Sequence, residues 1–241
     1  NAGTVNNING DTSVSIIGRE GITFTGDIIG GSFENSGQAQ YTIGGNSSIS
    51  ISGGSTFTGN IYGGSYSKVP GNTGSTMTTA GNITVELGTG TYRGNIYGAG
   101  NKGTAGGDVL VSLTGGSVFG AEGQDGGITV GGSAGAAVEG NRTLELKGTF
   151  GNGDFQNVTF TRFDEINIAQ EGASATIWAL TDSPSLTKTG AGTLTLGADA
   201  AGAETILDGT TEGITITEGS LNLSGAGGSH MKGTWNIASG S

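Results

Sequence analysis

The side chains best suited to bind a ligand are aromatic and amide residues that recur at one position of a repeated motif. Tyr62 and Tyr97 follow Asn60 and Asn95 at the same spacing, and Phe119 is the expected counterpart of the two tyrosines in a shortened copy. Stacked aromatic rings form an apolar stripe that carries polar hydroxyls, and neighbouring amides can hydrogen-bond sugar hydroxyls. The pattern predicts a surface for a host glycan or a cell-surface protein.

Two other arrangements fit the same residues. The loops at 65–81 and 100–107 can cover the rings and turn them into a second small core. Alternatively, the glycine turn of the motif reverses the face on which the rings lie. Ile29 takes the same position in the first copy of the motif, and the sequence leaves these arrangements open.

Acidic residues offer a different chemistry, because two carboxylates that flank a glycosidic bond can hydrolyse it. The pairs close in sequence are Asp164/Glu165, Glu122/Asp125, and Asp208 with Glu204 or Glu212. Asp164 and Glu165 are neighbours on a predicted strand and therefore point to opposite faces. The other acids lie in predicted turns, where carboxylates are mostly solvated. No catalytic residue is assigned, and an enzyme is the less favoured interpretation.

Histidine, cysteine and metal chemistry have little basis in this chain. His230 is the single histidine and there is no cysteine, which argues against a Ser–His–Asp triad, a thiolate site and a His-ligated metal. Residues 120–127 read GAEGQDGG and distantly resemble a calcium-binding nonapeptide. That motif works in tandem rows, and only one degenerate copy is present. We therefore expect no metal and no cofactor.

Composition places the candidate residues on a turn-rich β scaffold. The 241 residues include 52 glycines and 2 prolines, which is too little proline for collagen and too much glycine for a helical bundle. A hydrophobic share of 33%, arranged in alternating runs, argues against disorder. The net charge of −11 argues against a nucleic-acid partner. No apolar run approaches the roughly 20 residues that cross a bilayer.

Repeats define the elements that position the candidate residues. Residues 22–32, 55–65 and 90–100 share one motif, ITFTGDIIGGS in its first copy, and each copy follows an alternating strand. Two short strands and glycine turns per repeat are typical of one rung of a parallel β-solenoid. Phe57, Gly59 and Ile61 share one face of the motif. We expect that face to form the core, in on the order of ten rungs stacked about 4.8 Å apart.

The second half continues the pattern in a different register. Alternating strands are predicted to begin near residues 143, 157, 175, 185 and 213, and no linker separates the halves. We predict a single elongated all-β domain, a parallel β-helix, over residues 1–227. Glycine-rich repeats occupy residues 1–140 of this domain, and a second type of repeat occupies residues 141–227.

Two segments of the second half carry a family resemblance. Residues 185–197 (SLTKTGAGTLTLG) and 214–223 (ITITEGSLNL) resemble the autotransporter-associated β-strand repeat, the passenger-associated transport repeat, of bacterial autotransporter passengers. The resemblance implies a right-handed parallel β-helix that is secreted or displayed at the bacterial cell surface. It also implies an outer-membrane translocator barrel in the precursor, and a passenger that does not itself span the membrane.

The expected function follows from this resemblance and from the repeated aromatic residues. We expect a non-enzymatic adhesin or structural β-helix that binds host or cell-surface ligands. The alternatives are a β-helix carbohydrate-active enzyme that uses Asp and Glu, and a passive stalk or translocation spacer. An enzyme would require converging carboxylates in a groove, whereas an adhesin would not.

The last residues carry a sign of rearrangement. Residues 228–231 (GSHM) resemble the cloning scar that thrombin cleavage of a vector-encoded tag leaves, and such a scar normally precedes the first native residue. Residues 232–241 (KGTWNIASGS) would run on naturally into Asn1. We predict that they belong structurally at the N-terminal end as a strand or cap. The alternative is a short C-terminal tail.

Overall fold

The chain folds entirely from β-strands in its described part. The computed structural model describes residues 5–35, 40–69, 76–120, 127–151, 153–156, 158–172, 174–177, 179–196, 206–223 and 230–237. These residues form strands β1 to β29 and no helix. None of them therefore belongs to a helix that could cross a membrane. The all-β prediction is confirmed.

Most strands are short because glycine and Asx turns interrupt the chain at the corners of each rung. The strands up to residue 138 are β1 (Val5–Ile8), β2 (Thr12–Ile17), β3 (Thr23–Phe24), β4 (Ile28–Ile29), β5 (Phe33–Glu34), β6 (Gln40–Ile43), β7 (Ser47–Ser52), β8 (Thr56–Phe57), β9 (Ile61–Tyr62), β10 (Tyr66–Ser67), β11 (Thr76–Thr79), β12 (Ile83–Leu87), β13 (Gly90–Tyr92), β14 (Ile96–Tyr97), β15 (Thr104–Ala105), β16 (Val109–Thr114), β17 (Ser117–Phe119), β18 (Ile128–Gly131) and β19 (Ala137–Val138). The later strands are β20 (Arg142–Gly148), β21 (Val158–Thr161), β22 (Glu165–Gln170), β23 (Ser174–Ile177), β24 (Ala179–Thr181), β25 (Ser185–Thr189), β26 (Thr193–Leu196), β27 (Ile206–Ile216), β28 (Ser220–Leu223) and β29 (His230–Ile237).

These strands pair in parallel with the equivalent strands of neighbouring rungs, which makes the protein a parallel β-solenoid. A nine-stranded sheet runs in the order β2-β7-β12-β16-β20-β22-β25-β27-β29, and a six-stranded sheet in the order β24-β21-β18-β14-β9-β4. The nine-stranded sheet crosses residue 140 without a break, because β16 pairs with β20. The five-stranded sheet ends at β19 and a three-stranded sheet begins at β23. One solenoid therefore changes its cross-section between its two halves.

Alternation along the strands builds the core of the nine-stranded sheet. Ile49, Val85, Val111 and Leu144 occupy one register position on four successive strands, and each is at most 1% exposed. The residues on either side of them in each strand point the other way. Since no rung can bury its apolar face alone, this stacking from rung to rung supplies the hydrophobic stabilisation of the fold.

A ladder of aromatic rings fills the core behind the shared motif. Phe24, Phe57, Tyr92, Phe119 and Phe155 follow one another with ring centroids 5.0, 5.4, 5.3 and 5.9 Å apart. Phe57 and Tyr92 are 2% and 1% exposed, whereas Phe24, in the first rung, is 37% exposed. The prediction that the phenylalanine–isoleucine face of the motif forms the core is thus confirmed.

The two ends of the solenoid expose different strands. The first rung carries large exposed side chains, among them Ile17 at 83% and Ile22 at 50%. At the other end β29 pairs with β27, so that Trp235 lies opposite Ile214. The structure therefore places residues 230–237 at the edge of the nine-stranded sheet farthest from β2, whereas an N-terminal position was predicted for 232–241. Residues 238–241 lie outside the described part.

Candidate functional site

Two-residue strands of the six-stranded sheet hold the tyrosines outside the core. In β9 and β14 the isoleucine points inward, with Ile61 and Ile96 at 1% and 0% exposure, and the tyrosine that follows points outward. Ile29 pairs with Tyr62, which pairs with Tyr97. The predicted alignment of these three residues is confirmed.

Tyr62 is nevertheless covered. Its ring stacks on Tyr97 at 5.6 Å, and the ring of Tyr66 lies 4.5 Å from it at a tilt of 33°. Only 7% of Tyr62 is exposed. Tyr66 belongs to the loop at 65–81, which was one of the segments expected to cover the rings. Tyr62 therefore packs between its neighbouring rings and is not accessible to a ligand, while Tyr97 stays partly exposed.

Two further aromatic residues bring this group to the surface. Tyr66 stacks on Phe33 with ring centroids 6.1 Å apart and an interplanar angle of 8°. Phe33 is 43% exposed, and the Nζ of Lys68 lies 5.8 Å from its ring centroid. We call Phe33, Tyr62, Tyr66 and Tyr97 the outer aromatic cluster. Sequence reasoning missed its exposed half.

The signal for the missed residues was present in the repeats. Phe33 and Tyr66 each follow a Gly-Gly-Ser run at the end of the motif, in GGSF and GGSY. The two residues pair directly between β5 and β10. Extending the aligned motif by one residue would have identified them.

Asn60 and Asn95 hold the rungs together. The backbone N–H of Asn60 donates to Asp27 Oδ1 at 2.9 Å, and that of Asn95 donates to Asn60 Oδ1 at 3.0 Å. The N–H of Thr129 donates to Asn95 Oδ1 at 2.8 Å. Each side-chain oxygen thus accepts a hydrogen bond from the next rung, which satisfies backbone groups at a corner. The acceptor oxygens predicted to face a sugar face the protein backbone instead.

Phe119 does not belong to this site. It pairs with Tyr92 and is 2% exposed, within the core ladder. The residue that pairs with Tyr97 in the next rung is Gly131. The prediction that Phe119 aligns with Tyr62 and Tyr97 is wrong, because Phe119 stacks on the core ring of Tyr92.

A cleft of about 240 Å³ adjoins the cluster on the outer side of the six-stranded sheet. Tyr97 forms one wall, and Arg162 and Asp182 contribute charged groups. The remaining lining residues are small, and most carry a hydroxyl: Thr129, Ser133, Ala134 and Thr161. This cleft brings an aromatic ring, hydroxyls and both signs of charge to one place on the surface.

The predicted acid pairs do not form a catalytic arrangement in the described residues. Asp164 is held by the guanidinium of Arg142, whose Nε donates to Asp164 Oδ2 at 2.8 Å. This hydrogen bond lowers the pKa of Asp164. Glu165 accepts a hydrogen bond from the amide of Asn167 at 3.1 Å. The side chains of the other predicted pairs, Glu122/Asp125 and Asp208 with Glu204 or Glu212, lie outside the described part.

Metal-binding side chains do not gather in the part of the chain that the structure describes. No group of three or more His, Cys, Asp or Glu there could hold a metal ion. Residues 121–126, which contain most of the predicted acidic turn, lie outside the described ranges.

Comparison with known proteins finds no matching family model, no matching curated protein and no matching solved structure. The resemblance to autotransporter passengers therefore stays a prediction. The outer aromatic cluster and the adjoining cleft are the candidate site on geometric grounds.

Two buried phenols make stability sensitive to alkaline pH. Burial raises the pKa of Tyr62 from 10.0 to about 12, with smaller effects from Tyr66 and Asp27, and burial also raises the pKa of Tyr92. Between pH 10 and 12 the unfolded chain loses protons that the folded chain keeps, so the free energy of unfolding falls as pH rises. We expect urea midpoints to decline through this window. Tyr62→Phe and Tyr92→Phe should each flatten the decline. A decline as steep in both variants as in the original chain would contradict the assignment.

Proposed function

We propose that this chain is a secreted or cell-surface β-solenoid of the autotransporter-passenger type, which acts as a non-enzymatic adhesin toward ligands on host or neighbouring cells. The observation that carries the proposal is the outer aromatic cluster. A rod of stacked rungs presents repeated positions along its side faces, and this protein uses one of them to bring aromatic rings to the surface.

The cluster has the composition of a contact surface. Phe33 offers an exposed ring at 43%, Tyr66 adds a partly exposed ring with a hydroxyl, and Lys68 places an ammonium near the ring of Phe33. Aromatic residues are enriched where proteins bind partners. The buried Tyr62 supports the exposed rings from below, which keeps the surface preorganised.

The described geometry favours adhesion over glycoside hydrolysis. Hydrolysis requires two carboxylates about 5–10 Å apart across the scissile bond. Among the described residues, the cleft beside Tyr97 is lined by one carboxylate, Asp182. A second cleft of about 250 Å³, on the outer face of the nine-stranded sheet, is also lined by one, Glu145, and Glu145 is ion-paired with Lys147.

The test is removal of the exposed rings. Phe33→Ser and Tyr66→Ser should weaken binding to host cells or to immobilised mucin by about tenfold or more, as expected when anchor residues are truncated. Val118→Ser is the matched control, because Val118 is exposed to a similar degree, 45%, and lies on β17 in a different sheet. Binding and thermal unfolding are measured for each variant.

The outcomes separate the adhesin from the passive stalk. Selective loss in the two ring variants, with unfolding temperatures near that of the original chain, supports the adhesin. A chain that binds none of these surfaces, or ring variants that bind as well as Val118→Ser, would favour the stalk.

A further inference from the structure

We propose that the cleft beside Tyr97 is a subsite for a single neutral sugar ring, with Tyr97 as the stacking platform and Asp182 and Arg162 as the hydroxyl-binding groups. This inference rests on the proposed adhesive function and names a ligand class for it. The cleft lies on the outer side of β14, β18, β21 and β24, next to the outer aromatic cluster.

The outer face of the six-stranded sheet carries smaller residues in the rungs after Tyr97. The outward position that carries Tyr62 and Tyr97 carries Gly131 in the next rung and Thr161 in the one after. Tyr97 stacks with one face on Tyr62, and it is partly exposed and lines the cleft. An aromatic ring in this position can pack against the apolar side of a sugar ring.

Two strained residues supply the charged groups. Arg162 and Asp182 have φ angles of 59° and 51°, and they are the two non-glycine residues of the described part with positive φ. They directly follow Thr161 and Thr181, which pair between β21 and β24. Left-handed backbone at a residue with a side chain costs free energy, and such strain concentrates at ligand sites.

Glycine is the usual residue at this corner. The residues that follow the same strand position in the four preceding rungs are Gly30, Gly63, Gly98 and Gly132. None of these four glycines has the left-handed φ of Arg162 and Asp182, so the strained backbone is specific to the two rungs that carry the charged side chains. Arg162 and Asp182 are both exposed, and neither forms a salt bridge with another described residue. Their donors and acceptors are available to a ligand.

Charge and size favour a neutral monosaccharide unit. The opposite charges of Arg162 and Asp182 offset each other, and the whole chain carries −11, which disfavours an anionic ligand. The volume of about 240 Å³ lies below the usual range of pockets for drug-sized molecules. Hydroxyls of Thr129, Ser133 and Thr161 line the rest of the cleft, which suits a ligand rich in hydroxyl groups.

The first experiment identifies the ligand class. The full chain is tested on an array of neutral oligosaccharides, such as galactosides, mannosides and N-acetylhexosaminides, alongside sialylated, sulfated and uronate-containing glycans. We expect binding to neutral glycans, which is then measured by calorimetry with the best neutral oligosaccharide. Binding confined to acidic glycans would overturn the proposal.

Three variants test the residues. Asp182→Gly and Arg162→Gly remove the charged groups and place glycine where φ is 51° and 59°. Glycine adopts these angles without steric cost, so the unfolding temperature should stay unchanged or rise. Gly131→Thr adds a side chain beside Tyr97. A Cβ at residue 131 would meet side-chain atoms of Tyr97 at 3.3 Å and Thr161 at 3.5 Å, so threonine would press on two side chains that line the cleft and shift them. Each variant should weaken the affinity for the neutral glycan at least about tenfold.

The results distinguish this proposal from the proposed function. Unchanged glycan affinity in all three variants overturns the subsite and leaves the adhesin intact if Phe33→Ser still reduces cell binding. If the chain binds cells or mucin but no glycan on the array, the subsite is likewise overturned and the adhesin proposal stands. Loss of glycan affinity together with a lowered unfolding temperature in both glycine variants would indicate a structural role for the corner and would also overturn the subsite.

Discussion

Replacing Gly94 by alanine is expected to lower the free energy of unfolding by about 3 kcal/mol, near the upper end for overpacking. A Cβ at this position would collide with the carbonyl group of Gly59 in the preceding rung, and it would also approach the backbone nitrogen of Asn60 to 2.9 Å. These are backbone atoms of the equivalent turn in the neighbouring rung, so they cannot rotate away as a side chain could. A Cβ at Gly59 would collide with Gly26 in the same way, which means that three rungs share the close approach.

Two matched glycines separate steric collision from other effects. Gly10→Ala should change stability by at most about 1 kcal/mol, and in the stabilising direction, because nothing lies within 4 Å of its Cβ. Gly26→Ala meets open space but has a φ of 109°, so it reports backbone strain alone. Urea midpoints are compared at constant m-value. Equal losses at Gly10 and Gly94 would show that rung spacing does not limit side-chain size.

The fold was predictable because its signals are local and repeated. Alternation within SISIS and ITVEL places Ile49 and Val85 on the inner face, and the repeated motif aligns Ile61 with Ile96. Each copy of the motif repeats the same pattern of strands and turns, so the side-chain directions inferred in one copy apply to the others. The same reasoning placed Tyr62 and Tyr97 on the outer side.

The errors arose where a residue's role depends on another rung. Phe119 was aligned with the tyrosines as their counterpart in a shortened copy of the motif, whereas its ring stacks on Tyr92 at 5.3 Å and pairs with it in the core. Asn60 and Asn95 looked like ligand-binding amides because their partner, the N–H of the following rung, is remote in sequence. The strain at Arg162 follows from backbone geometry that no residue pattern signals.

A second row of Asx residues shows that this backbone-binding role of Asn60 and Asn95 could have been predicted from the sequence. Asp11, Asn46, Asn82, Asp108 and Asn141 each follow a glycine and precede a strand of the nine-stranded sheet. In each successive pair, the side-chain Oδ1 of the earlier residue accepts the N–H of the later one, at 2.7 to 3.0 Å. The recurring Gly-Asx pair therefore marks a corner, and Asp27, Asn60 and Asn95 follow glycine in the same manner.

Lys188→Ala is expected to lower the free energy of unfolding at least as much as Gly94→Ala. Lys188 is 0% exposed and sits at an inward position between Ile168 and Ile216. Its Nζ donates to the carbonyl oxygens of Thr189 at 2.8 Å, Gly190 at 2.6 Å and Glu218 at 3.3 Å. The ammonium thus joins the turn after β25 to the turn after β27.

Alanine would remove these hydrogen bonds and leave a cavity, whereas methionine removes the hydrogen bonds and keeps most of the volume. We expect Lys188→Met to lose about 1–3 kcal/mol, the cost of unsatisfied buried polar groups, and Lys188→Ala to lose about 2 kcal/mol more. Lys147→Met on the same sheet is the control. The Lys147 side chain is 54% exposed in its ion pair with Glu145, and such surface pairs contribute at most about 1 kcal/mol.

The pH dependence of this lysine gives a second readout. Burial lowers the pKa of Lys188 below its ordinary 10.5, so the folded chain releases this proton at a lower pH than the unfolded chain does. In the window below pH 10.5 the unfolded chain binds more protons, and Lys188 therefore adds stability as pH rises. The rise in stability with pH below 10.5 should be absent in Lys188→Met and present in Lys147→Met. If Lys188→Met matched the original chain in both midpoint and pH profile, the three carbonyl contacts would not be holding the two turns together.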